Sequence, residues 1–174
     1  MNPMRDIVIS KLVINIGTGS DDNVQQNAKR LLNLLTGKRA ADEISRKRNP
    51  AFKITKGQKI GAFVTLRGNA AREVLKRLLE VHDNMLAARS VTDNSISFGI
   101  KEYIDISGLK YDPKIGMLGM NVNLSFKRRG LRVALRKRQR AEVPSRHRRI
   151  GSGEIMEYMA REFKTQAQAE QVEA

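Results

Sequence analysis

Three stretches of this chain alternate apolar and polar residues with a period of two: Ile7 to Ile16 (IVISKLVINI), Ile60 to Leu66 (IGAFVTL) and Met120 to Phe126 (MNVNLSF). Successive side chains of a strand point to opposite faces, so this pattern suits a sheet with one buried and one open face. In the first stretch Leu12, Ile14 and Ile16 share one face, and Lys11, Val13 and Asn15 the other. In the second, Ile60, Ala62, Val64 and Leu66 oppose Gly61, Phe63 and Thr65, and Arg67 continues the face of Thr65. Met120, Val122, Leu124 and Phe126 line one side of the third. As bulky rings on strands, Phe63 and Phe126 are expected in the core.

Helical spacing appears between these strands. Gly17-Thr18-Gly19-Ser20 breaks the first one, and Asp21 or Asp22 then caps a helix carrying Val24, Ala28, Leu31, Leu32 and Leu35 on one stripe. Thr36-Gly37 ends it. A second helix starts at Asn69 and buries Ala70, Val74, Leu75, Leu78 and Leu79. A third runs from about Ser152 to Phe163 and buries Ile155, Met156, Met159 and Phe163. Ile96 to Ile106 is β-like, whereas Tyr111 to Gly116 has the Pro and Gly of a turn. There is no regular βαβ alternation, repeat or linker. The expected fold class is therefore α+β: a single antiparallel-rich sheet with helices packed on one face and the other face open. Residues 1–163 are expected to form one domain, and the polar tail 164–174 is expected to lack order.

The 174 residues carry a formal charge of +15, and most of that surplus is local. Lys127 to Arg149 holds 11 basic residues and one acid, Glu142. Arg128, Arg129, Arg136, Lys137, Arg138, Arg140, Arg146, Arg148 and Arg149 form its clusters. A charge run is usually a solvated surface, but here the acids that would balance one are missing. The segment reads as a short strand running into a basic arm that orders against phosphate. A second basic cluster, Lys38-Arg39 with Arg46, Lys47 and Arg48, continues through Lys53, Lys56 and Lys59. Aromatic residues make up only 5% of the chain, with no tryptophan, which argues against a reader of single strands built on stacking platforms. Folded RNA is the expected target.

Other chemistries find little footing. No apolar run approaches the roughly 18 residues that span a bilayer, and the first residues lack a signal-peptide pattern. Without cysteine there is no disulfide or thiolate metal site. Gly17-Thr18-Gly19 follows a strand and precedes a helix, but the third glycine and the Gly-Lys-Ser/Thr of phosphate loops are missing. His82 ends a helix, where a cation suits the dipole. His147 lies among arginines with no orienting carboxylate. The close carboxylates Asp21-Asp22 and Asp42-Glu43 are helix-start or exposed types. No catalytic residue, metal or cofactor is expected. A free-standing RNA chaperone or regulator is the alternative reading, and it would bind RNA without regard to shape.

Several segments, taken in order, resemble the family of large-subunit ribosomal protein five in its archaeal-eukaryotic branch. They are Asn2-Pro3-Met4-Arg5 with Lys11 to Gly19, Leu34-Leu35-Thr36-Gly37-Lys38, Lys56 to Gly68, Phe98 to Asp105, Tyr111 to Met117, and Val143-Pro144-Ser145-Arg146-His147-Arg148. The resemblance runs from residue 2 to about 163. It implies a concave open sheet face that binds 5S rRNA. Carried over, that contact falls on Lys11, Asn15, Ile16, Gly17, Gly37, Lys38, Thr65 and Arg67. Ile16 fits the buried face, so its contact would be through backbone, and Asn15 could instead bond the following turn.

The resemblance also implies that the loop from about Asn49 to Lys59 reaches the peptidyl-site tRNA through Lys53, Thr55, Lys56 and Gly57. The region of Tyr111, Asp112, Pro113 and Lys114 would meet a small-subunit protein at an intersubunit bridge. Large-subunit rRNA and the neighbouring proteins of the central protuberance complete the implied partners, and no membrane is among them. Two departures stand out. Lys38 replaces the family's usual glutamine, and Arg128-Arg129-Gly130 replaces the common Arg-Pro-Gly, which leaves that turn less rigid.

Overall fold

A computed structural model describes residues 2–168. Strand β1 (Ile7–Gly17) is followed by helix α1 (Asp22–Thr36), a short strand β2 (Ala41–Ile44), strand β3 (Lys59–Leu66) and helix α2 (Asn69–Glu80). Then come β4 (Met85–Ala87), β5 (Val91–Thr92), β6 (Ser95–Ile100) and β7 (Met120–Arg128). Two single-turn helices, α3 (Arg132–Leu135) and α4 (Ser145–Arg148), precede α5 (Ser152–Phe163) and β8 (Gln166–Gln168). Six strands form one antiparallel sheet in the order β2-β3-β1-β7-β6-β5.

The period of two sets the core. Leu12, Ile14 and Ile16 of β1, Ala62, Val64 and Leu66 of β3, and Met120, Val122, Leu124 and Phe126 of β7 are all buried on one face. Between Ile9 and Lys11 the pairing with β7 slips by one residue, so Ser10 is an extra residue in β1. Such a bulge shifts the strand's phase. Ile7 and Ile9 therefore pack against the core on odd positions, and Leu12 to Ile16 on even ones. This explains why the alternation of the segment is only partial.

Helices α1, α2 and α5 cover this face. α1 brings Ala28, Leu31, Leu32 and Leu35; α2 brings Ala71, Val74, Leu75, Leu78 and Leu79; α5 brings Ile155, Tyr158 and Met159. Each such Leu or Ile contributes roughly 1.5–3 kcal/mol by leaving water. Helix α1 stops where Gly37 turns left-handed (φ 65°) and its N–H bonds Asn33 O at 2.7 Å.

Four parts differ from the sequence expectation. Ala41–Ile44, read as loop, is the edge strand β2, with Asp42 turned toward α1. The β-like stretch after residue 95 ends at Ile100, and Tyr103–Asp105 forms a single 3-10 turn. The tail expected to lack order is ordered in its first part: Thr165 is buried and Gln166–Gln168 pairs in parallel with Met85–Ala87. Its backbone donors and acceptors find partners there, which composition alone does not reveal. The remainder of that tail, 169–174, lies outside the described residues. Finally, the basic arm is tethered at both ends. Ala134 is buried at its start, and Ile150 is buried at its end, exchanging hydrogen bonds with Asn94 (Ile150 N–H to Oδ1, 2.8 Å; Asn94 N–H to Ile150 O, 3.2 Å).

Candidate nucleic-acid interface

The sheet face opposite the helices is built in rows, because antiparallel register places cross-strand partners side by side. One row runs Phe63, Asn15, Asn121, Gly99 across β3, β1, β7 and β6. The next runs Thr65, Val13, Asn123, Ser97, and the third brings Lys11, Ser125 and Ser95 together. Arg67 leaves β3 one step beyond Leu66, toward the Lys11 row. The face is thus amide and hydroxyl in its middle, with cations at one end.

A groove over β1 and β3 is floored by Val13, Asn15, Phe63 and Asn123, with Glu43 and Arg46 on its wall. The ring of Phe63, expected in the core, is half-buried on this open face. Its periodicity with Gly61 and Thr65 was the correct signal, and its residue type the misleading one. Phe126 is in the core, edge-on to Tyr158 at 5.7 Å between ring centroids.

Asn15 does not bond the following turn. Its amide oxygen is buried and has no hydrogen-bond partner among the described residues. Ile16 is in the core, so only its backbone is available to a ligand. Gly17 sits opposite Gly61, and a Cβ built on Gly61 would come within 2.7 Å of Ile16 O. Only glycine permits β1 and β3 to close there. Gly37 and the exposed Lys38 precede β2, whose Ala41 lies opposite Phe63. The run of β2 antiparallel to β3 carries them toward the end where Thr65 and Arg67 stand. Lys38 N–H bonds Thr36 Oγ1 at 3.3 Å, leaving its ammonium to solvent.

Between β2 and β3 the chain extends as a finger held by its own backbone. Ser45 and Gln58 pair at its base (Ser45 N–H to Gln58 O, 2.8 Å), and Asn49 and Ile54 exchange two bonds of 2.9 and 3.0 Å near its tip. Arg46, Lys47, Arg48, Lys53, Thr55, Lys56 and Gly57 are all exposed along it. Gln58 Oε1 accepts the Thr55 N–H at 2.9 Å, and Gly57 turns left-handed (φ 86°).

The basic arm is not uniform. Lys137, Arg138, Arg140, Arg146 and Arg148 are exposed with no ion pair among the described residues. By contrast, the Arg128 side chain is only 16% exposed. It donates to both oxygens of Glu154 (3.1 and 2.7 Å) and to the carbonyls of Arg5 and Arg149. Its donors bind the end of β7 to α5. Arg149 bonds Asp93, with Nε to Oδ2 at 2.6 Å, and Arg129 lies 3.9 Å from Asp6. Arg136 donates to Gln139 O at 2.8 Å. A charge count cannot separate such structural arginines from free ones.

Tyr111, Asp112, Pro113 and Lys114 form a compact turn. Asp112 O accepts from Ile115 and Gly116, Asp112 Oδ1 accepts the Lys114 N–H at 2.9 Å, and the Tyr103 hydroxyl accepts the Asp112 N–H at 3.0 Å. Buried Ile115 anchors it, while Tyr111, Pro113 and Lys114 are exposed. His82 is occupied with the sheet, its Nε2 3.0 Å from Gly99 O and its ring edge-on to Phe98. Among the described residues no three His, Asp or Glu side chains come together to hold a metal, and no helix is long and apolar enough to cross a membrane.

An open polar sheet face bracketed by free cations defines an α+β protein built to lie against a polyanion. Comparison with known proteins specifies which kind. Residues 59–158 match the family model for the C-terminus of the ribosomal protein uL5 family. The large ribosomal subunit protein uL5 of Archaeoglobus fulgidus is 43% identical over 84% of this chain and 83% of its own length. The uL5 proteins of Sulfurisphaera tokodaii (39% identity; 94% of this chain, 93% of the relative) and Nanoarchaeum equitans (39%; 95% and 98%) match nearly end to end. The chain belongs to the ribosomal protein uL5 family. It is a structural constituent of the large ribosomal subunit, located on the cytoplasmic ribosome, and not an enzyme.

Proposed function

We propose that the open sheet face binds 5S rRNA and helps attach it to the central protuberance of the large subunit. The observation that carries this reading is the unpartnered amide oxygen of Asn15, set in a polar face between Lys11, Thr65 and Arg67. A buried acceptor without a donor costs the free protein about 1–3 kcal/mol, so a ligand that supplies the donor gains what folding forgoes. In this reading Lys38 and Arg67 clamp the RNA at one end of the face, and Gly17 lets its backbone approach at the other. The free arginines of the arm neutralise large-subunit rRNA. The finger, through Lys53, Thr55, Lys56 and Gly57, reaches the peptidyl-site tRNA. The turn at Tyr111 to Lys114 meets a small-subunit protein at a bridge, and the remaining surface adjoins neighbouring proteins of the protuberance.

The test is a titration of the protein against 5S rRNA and an unrelated RNA of equal length, at two salt concentrations. Shape-selective binding predicts a 5S preference that survives high salt, since base and sugar contacts do not depend on counterion release. Arg67→Ala should weaken 5S binding by about 1–3 kcal/mol, and unrelated RNA by less. Equal binding to both RNAs, erased by salt, would refute the sheet-face assignment and favour general RNA binding through the arm.

A further inference from the structure

Phe52 is 72% exposed, more than any other large apolar side chain among the described residues. It stands at the tip of the β2–β3 finger, in the single 3-10 turn Pro50–Phe52. The backbone around it is set. Pro50 restricts the start of the turn, Lys53 N–H bonds Pro50 O at 3.1 Å, Lys53 takes a left-handed conformation (φ 55°), and the Asn49–Ile54 bridge closes the base. A ring that merely lacked a place in the core would not need such a mount. From Arg46 to Gln58 the finger carries five cations, Arg46, Lys47, Arg48, Lys53 and Lys56, and no acid. An exposed aromatic ring surrounded by cations and no anions is complementary to one class of surface: a nucleobase face lying among phosphates. A protein neighbour with an apolar pocket would not call for the cations.

We propose that Phe52 is a stacking residue, which docks on an exposed base or base-pair face of the RNA that the finger meets. This inference rests on the reading of the finger as a tRNA contact, and it adds what that reading lacks, a group that recognises a base rather than a phosphate. The cations then supply attraction without preference. The ring supplies selection for RNA whose bases are accessible, which a continuous duplex does not offer.

The chain contains no tryptophan, so Phe52→Trp introduces a single indole whose fluorescence reports its own contact. The full-length Phe52→Trp protein is titrated with deacylated tRNA and, separately, with a long, perfectly paired RNA duplex. Binding is followed independently by anisotropy of labelled RNA. Stacking predicts at least twofold quenching at saturation with tRNA and none with the duplex. Phe52→Ala should lose about tenfold in tRNA affinity, with Phe52→Tyr restoring it and Phe52→Leu not. Saturation with tRNA without quenching, or full rescue by leucine, would overturn the inference and assign the ring to a protein neighbour. The underlying reading fails differently. If Lys53→Gln with Lys56→Gln leaves tRNA affinity unchanged, the finger is not the contact at all. If that pair weakens binding while Phe52→Ala does not, the finger binds phosphate alone and only the stacking role falls.

Discussion

Replacing Asn15 by valine should make the protein more stable and its RNA binding worse. Asn15 lies on β1 between Phe63 of β3 and Asn121 of β7, on the face away from the helices. Its Oδ1 is buried without a partner. Turning the amide over would put a donor in the same place, equally unpaired. Leaving one such group unsatisfied costs about 1–3 kcal/mol. Valine has one heavy atom fewer, no polar group to strand, and a β-branched shape favoured on a pleated, half-buried surface. The expected gain is about 1 kcal/mol, or a rise in Tm of about 2–4 °C for a domain of this size. Loss of the acceptor should lower 5S rRNA affinity by about tenfold, equivalent to roughly 1.4 kcal/mol. Affinity for unrelated RNA should hardly move. Thermal unfolding by circular dichroism and filter binding measure both. A fall in Tm with unchanged 5S affinity would refute the reasoning, because the amide would then be serving the fold.

Other residues yield separate expectations. Asp42 accepts a hydrogen bond from Lys29, which lowers its pKa against the opposing effect of burial, with further help from Lys59 and Gln25. A carboxyl depressed in the folded state contributes stability that is fully present above its ordinary pKa and lost as pH falls through the folded value. Urea midpoints of wild type and Asp42→Asn should therefore differ by a constant above about pH 5 and converge below about pH 3. Arg128→Ala should cost about 1–2 kcal/mol in urea unfolding, because it strands three acceptors, while hardly changing the salt slope of RNA binding. Arg138→Ala should do the reverse, sparing stability and reducing that slope by about one. Gly61→Ala should destabilise by about 1–3 kcal/mol, since its Cβ would meet a backbone oxygen that cannot move aside, and calorimetry would register the loss.

Much of this molecule was legible in local pattern. The alternation in three strands divided Leu12, Ile14 and Ile16 from Lys11 and Asn15, and Thr65 from Val64 and Leu66, as the sheet does. The helical stripes and the glycine that ends α1 were equally plain. These are consequences of period and of φ, which each residue carries by itself. The concentration of cations in the arm and the finger is likewise a property of the chain.

Tertiary structure decided what depends on partners far away in sequence. The strand order puts residues 11–15, 63–65 and 121–125 side by side, and no single strand encodes its neighbours. β2 and β8 are strands because edges of β3 and β4 offer unpaired backbone groups, not because ADEI or QAQ prefer to be extended. The bulge at Ser10 resolves into two phases only when β7 is alongside. Equal charges part company in the same way. Arg128 is committed to Glu154 and two carbonyls, whereas Arg138 is free, because a guanidinium's role is set by which acceptors the fold brings within hydrogen-bond reach.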